Sequence, residues 1–205
     1  MSDQKFNILI DPLPLSVELG GRDFVISADF RTSILFEQLM QDTGISRDDK
    51  IRTALALYFP DGVPVHLVQD ACLEITNFYC CGSVDEVAEE GARQQKATGG
   101  KRPKRIYDYD YDAPYIYAAF LDQYGIDLQD IEFLHWWKFH ALFLGLKDDN
   151  EICKIMSYRA VNLADIKNRS ERQRYATLQA RYRLPDTRTL EEKQATIGAL
   201  FGGAF

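Results

Sequence analysis

The sequence predicts a mainly α-helical protein with a small N-terminal β-hairpin and two helical regions joined by a flexible linker. Three observations lead there. Apolar residues recur at helical spacing through most of the chain. One short alternating stretch turns on a Gly-Gly pair. Apolar content collapses between Gly91 and Pro103. The expected division is 1–82 (hairpin and helices), 83–111 (a short polar helix and a basic/acidic linker), 112–186 (a helical domain) and 187–205 (a last helix and tail). With 205 residues, 46% hydrophobic and 12% aromatic, the chain has enough apolar material for a real core.

The elements follow in order. Leu15, Val17 and Leu19 alternate up to Gly20-Gly21, and Phe24-Val25-Ile26 come back from it. Such a hairpin needs something to pack on. Asp29 is a good N-cap for a helix carrying Ile34, Leu35, Phe36, Leu39 and Met40. Ser46 and Asp49 have capping-box spacing for a second helix, which Pro60 stops. A third runs from about Pro64 to Cys80 on Leu67, Val68, Ala71, Leu73, Ile75 and Phe78. Ser83 with Glu86 caps a short polar helix before the linker. Beyond it, Asp112 precedes Ala113-Pro114, and that helix closes at Gly125, a C-cap. Asp127 and Asp130 are read as the start of the next, which ends near Gly145. Asp148 with Glu151 and Thr189 with Glu192 mark further starts, with an arginine-rich helix between them closing before Pro185.

Chemical motifs fail one by one. His135 and His140 lie five residues apart, about 140° around a helix, so they cannot share a metal without unwinding. "YDYDYD" starts like a calcium loop, but Ala113 and Ala119 occupy the positions that need glycine and glutamate. It reads as a solvated lead-in to a helix, or as a short linear binding motif. "GGKR" lacks the earlier glycine of a phosphate loop (Gln95 stands there) and has Arg102 after Lys101. Cys72, Cys80, Cys81 and Cys153 form no C-x-x-C pair and read as reduced, partly buried thiols. No nucleophile elbow, dinucleotide turn or Cys-His pairing appears. The expectation is a protein that is not an enzyme, with no catalytic residue, cofactor or metal. A net charge of -7 argues against nucleic acid as a general partner, and no apolar run is long enough for a membrane span.

Two stretches remain as candidates for binding. In "LHWWKFHALF", Trp136, Phe139 and Phe143 form one stripe, and Leu134, Trp137, Ala141 and Leu144 a second. A helix apolar nearly all round must be covered, by its own core or by a partner. From Lys167 to Arg183 six basic residues stand against one acidic, +5 locally against -12 for the rest. With the stripe Tyr175, Leu178 and Tyr182, this is a surface helix or a docking face for an acidic segment, the chain's own "YDYDYD" included.

The blocks "YIYAAFLDQYGIDL", "LHWWKF" and "KIMSYR", set within 107–185, resemble the phage Gp-fifteen family, with a looser likeness through "DPLPLSVELGGRDFVISADFRTSILFEQL". These proteins are encoded in tail-gene clusters of siphophages and of prophages of Gram-positive bacteria, near the tape-measure gene. The resemblance implies a tail assembly chaperone in the host bacterial cytoplasm, with the tape-measure protein as partner, and with the tail tube protein as a second partner and a homo-oligomer as options. A structural tail or head–tail connector protein retained in the virion is the alternative. The residues expected to meet the partner are Trp136, Trp137, Phe139 and Phe143, which anchor the back region, with Tyr158, Arg159, Arg172 and Arg174 as the docking surface beside them.

Overall fold

The computed structural model describes residues 6–83 and 104–185. Among them are one antiparallel hairpin, β1 (Ser16–Leu19) with β2 (Arg22–Val25), and seven α-helices. These are α1 (Phe30–Gln41), α2 (Arg47–Tyr58), α3 (Val68–Tyr79), α4 (Ala113–Tyr124), α5 (Trp136–Leu144), α6 (Glu151–Ala160) and α7 (Arg169–Arg181). The chain is mainly α with a small hairpin, as its periodicity requires. Of the 83–111 stretch, residues 84–103 lie outside the described residues, and so does the helix from Thr189.

Gly20 and Gly21 make the two-residue turn, at φ 57° and 76°. Both central positions of such a turn need the left-handed region, which glycine enters without cost. Ser16 pairs with Val25 and Leu19 with Arg22. The buried Leu19 roots the hairpin against α3.

Local signals set most helix ends. Asp29 accepts the Arg31 amide at the start of α1, and Ser46 accepts the Asp49 amide at the start of α2. A 3-10 turn, Val65–Leu67, leads into α3. Gly125, at φ 65°, caps α4 in the left-handed conformation. Asn168 caps α7 by accepting the amides of Ser170 and Glu171.

Three expectations are corrected. The α5 helix starts at Trp136, not near Asp127. Asp127 instead closes a turn on the amides of Gln129 and Asp130, and the chain then runs extended to pair with residues before α1. The Phe30 amide donates to Leu134 O at 2.9 Å and the Trp136 amide to Ala28 O at 2.8 Å. Asp29 adds a tie, its Oδ2 accepting the Leu134 amide. A long-range pairing overrode a local start signal. Second, α6 starts after Asn150, two residues past Asp148. Third, Leu35, Met40 and Leu73, assigned to apolar helix patterns, are exposed, while the small Ser33 is buried and hydrogen-bonded to Tyr58 OH at 2.8 Å.

One cluster of buried side chains draws on both helical regions. Its centre is a stack of rings in which Phe139 lies between Phe30 (centroids 4.8 Å) and Phe120 (4.9 Å), joining α1, α5 and α4. Burying aromatic faces this way contributes both area and offset-stacking energy.

Candidate functional site

The aromatic helix supplies the core. Trp136, Trp137, Phe139 and Phe143 are all buried, at 1%, 7%, 0% and 5% exposure. The indoles do more than fill space. Trp136 Nε1 donates to Tyr79 O at 2.8 Å, and Trp137 Nε1 to Phe78 O at 2.7 Å. Those carbonyls end α3, where the last turn has no partners within the helix. Two neighbouring tryptophans therefore cap one helix while packing another. Of the second stripe, Ala141 and Leu144 are exposed. All four rings are packed in the core, and of them Phe139 also lines the groove between α1 and α4.

His135 is the N-cap of α5. Its Nδ1 accepts the Trp137 amide, so the proton sits on Nε2 and is donated to Pro14 O at 2.9 Å. His140 lies half-buried over the Trp136 ring. Burial lowers the pKa of both imidazoles. Among the described residues, no group of three or more His, Cys, Asp or Glu side chains is placed to hold a metal. The four cysteines are unpaired, and burial pushes the Cys81 thiol up to about 12.

Arg159 is also buried, at 3%. Its guanidinium grips Asp112 with two bonds, Nη1 to Oδ2 at 2.6 Å and Nη2 to Oδ1 at 2.9 Å. It also donates to Ile106 O and, through Nε, to Tyr182 O. One side chain thus joins α6, the segment before α4 and the end of α7. Asp112 sits at the N-cap position of α4 without capping it, because its carboxylate is taken by Arg159 and by the Asp108 amide. The "YDYDYD" stretch is consequently not a solvated lead-in: Tyr109 and Asp112 are buried within it. Arg105 pairs with Asp108 at 2.9 Å and bonds Gln41. Gln41 in turn donates to Glu37, which accepts Tyr79 OH. Burial raises the Glu37 pKa.

The remaining candidates sit on or against α7. Tyr158 is half-buried between the rings of Tyr175 and Tyr182. Gln179, which sequence patterning did not single out, donates to the carbonyls of Tyr158 and Val161. Arg172 and Arg174 are exposed, and α7 buries no residue. Arg172 Nε donates to Ile166 O, and Arg174 has no acidic partner among the described residues. Lys104 and Arg183 line a cleft of about 440 Å³ where α7 ends beside Arg159. This is a solvated cationic face.

A second concavity, of about 450 Å³, lies between α1 and α4. Phe30, Ile116, Leu128 and Phe139 line it, with Leu35 (50% exposed) at its mouth. Gln38 and Gln129 are among its polar lining groups. An apolar groove with polar groups around it suits the side chains of an amphipathic helix.

A mainly helical fold with a hairpin at its front, held by two capping tryptophans and a buried ion pair, gives the class of protein. The match to a family model is more particular. The model described as Bacteriophage Gp15 protein covers residues 9–184, and the chain belongs to that family. No curated protein and no solved structure matches the chain. No helix among the described residues is long and apolar enough to cross a membrane.

Proposed function

We propose that this phage protein is a non-enzymatic tail assembly chaperone that binds and solubilises the tape-measure protein. The observation that carries the reading is the open groove between α1 and α4, apolar at its base and polar around it. The tape-measure protein expected of this family is long and helical, with exposed apolar faces. A chaperone for it needs surfaces that take such faces weakly and repeatedly, on a body whose charge keeps it soluble. The net charge of -7 serves the second need. The cationic face of α7, with Arg172 and Arg174, adds contacts for acidic stretches of the same partner.

Co-expression with the neighbouring tape-measure product tests this. The chain should keep that product soluble and co-purify with it. Leu35→Glu, which puts a charge at the groove mouth without touching the core, should abolish the effect. Presence at stoichiometric amounts in purified virions would assign a structural tail or connector role instead.

A further inference from the structure

We infer that residues 186–205 of this chain fold back to dock their apolar side chains in the α1–α4 groove, so that the groove's first occupant is the protein itself. Three observations point there. The first is where the described chain leaves off. Pro185 lines a depression together with Gln38, and Gln38 also lines the groove, so the chain leaves α7 next door to it. The second is charge. Asp42, Asp108 and Asp110 line that depression, and the one cation lining it, Arg105, is already paired with Asp108. The first cation after Pro185 is Arg188, three residues on, within reach of those carboxylates. The third is apolar patterning. Leu190, Ile197, Leu200 and Phe201 stand at spacings that put them on one side of a helix, and Ala195 to Phe205 carry no charge.

Reach is ample. The twelve residues from Pro185 to Ile197 span about 40 Å extended or about 18 Å as a helix. Phe30, Ile116, Leu128 and Phe139 line the groove, and Leu35 at its mouth keeps half of its surface exposed among the described residues. A groove of this kind left open would attract other apolar chains indiscriminately. An intramolecular segment, present at high effective concentration, keeps it covered and yields to a partner that binds more tightly. The docking stands by itself. Its regulatory consequence rests on the chaperone reading.

Methyl NMR spectra of the full chain test the docking. Replacing both Ile197 and Phe201 by aspartate should shift the methyl resonances of Ile34, Leu35, Ile116 and Leu128. Those of Leu19 and Ile75, buried elsewhere, should stay in place. Leu35→Glu in the otherwise unchanged chain should release the Ile197 and Leu200 methyls to positions typical of free chain. Unmoved groove methyls in the first variant would overturn the docking, as would shifts that grow with protein concentration, which would give the groove to a second copy. Capture of the tape-measure product is read separately. Stronger capture by the double variant supports self-covering of the partner site. Groove shifts without any capture, in either form of the chain, leave the docking standing and remove the chaperone reading.

Discussion

Helix α5 and helix α7 are opposites in what they bury. Four of the nine residues of α5 are buried aromatic rings, whereas α7 has thirteen residues and buries none. The first is held by shape: Phe139 stacks between two phenyl rings, and the indoles cap α3. The second is moored at one edge, by Arg159 donating to Tyr182 O, by its own Gln179 donating to the carbonyls of Tyr158 and Val161, and by Tyr175 and Tyr182 against the Tyr158 ring. Held along that one edge, the helix leaves its outward side chains exposed, Arg174 among them. The aromatic helix is therefore the fold's keystone, and the arginine helix is the one whose side chains stay at the surface.

The sharpest way to break this contrast is at Trp136. Trp136→Ala removes a fully buried ring and the cap on Tyr79 O, and should cost about 4 kcal/mol in chemical denaturation. A loss below about 1 kcal/mol would mean the ring is not core. Next comes the mooring. Arg159→Ala leaves Asp112 buried and unpaired, and should cost about 3 kcal/mol. Combining it with Asp112→Asn should recover part of that loss, because the orphaned charge is then gone. Equal stability of the single and double variants would show that the ion pair is not the mooring.

Acid provides a milder probe. The folded-state pKa of both His135 and His140 lies below the ordinary 6.5. As pH falls, the unfolded chain therefore takes up protons before the folded one does. Their contribution to stability is full above pH 6.5 and is lost as pH falls from there toward the folded-state values. The melting temperature should drop over that window, and His140→Gln should flatten the drop. An unchanged slope would place His140 in solvent. The smallest effect is expected on α7. Arg172→Glu with Arg174→Glu should move stability by about 0.5 kcal/mol or less, since both side chains are exposed. Capture of the tape-measure product should fall. Unaltered capture would confine the docking surface to the groove.

Much of this fold was legible because its signals are local. Two glycines in a row made the hairpin turn, and Asp29, Ser46 and Gly125 marked helix ends that the structure keeps. The spacing of the ring-bearing stretch demanded cover without saying whether core or partner supplies it, and the burial of its four rings assigns it to the core. What escaped was long-range. The start of α5 is set by pairing with residues 28–30, which no window around Asp127 contains. Asp112 looked like a cap because its partner lies 47 residues away. A signal for that pair was nonetheless present. Ile152, Ile155 and Arg159 share one face of α6 at i, i+3 and i+7, all three buried, so a cation on an apolar face demanded an acid somewhere. The groove between α1 and α4 left no mark in periodicity, because Leu35 reads as a core residue until its exposure is known.

The tie between Asp29 and the Leu134 amide bridges 105 residues of chain. At bacterial translation speeds of roughly 5–20 residues per second, Phe30 is added to the chain about 5–20 seconds before its stacking partner Phe139. Throughout that interval the nascent front half carries an unfinished ring stack and a third helix whose last carbonyls await their indoles. A ribosome pausing between the two halves would lengthen that wait, and synonymous codons after Pro103 thereby become a lever on yield that leaves every amino acid unchanged.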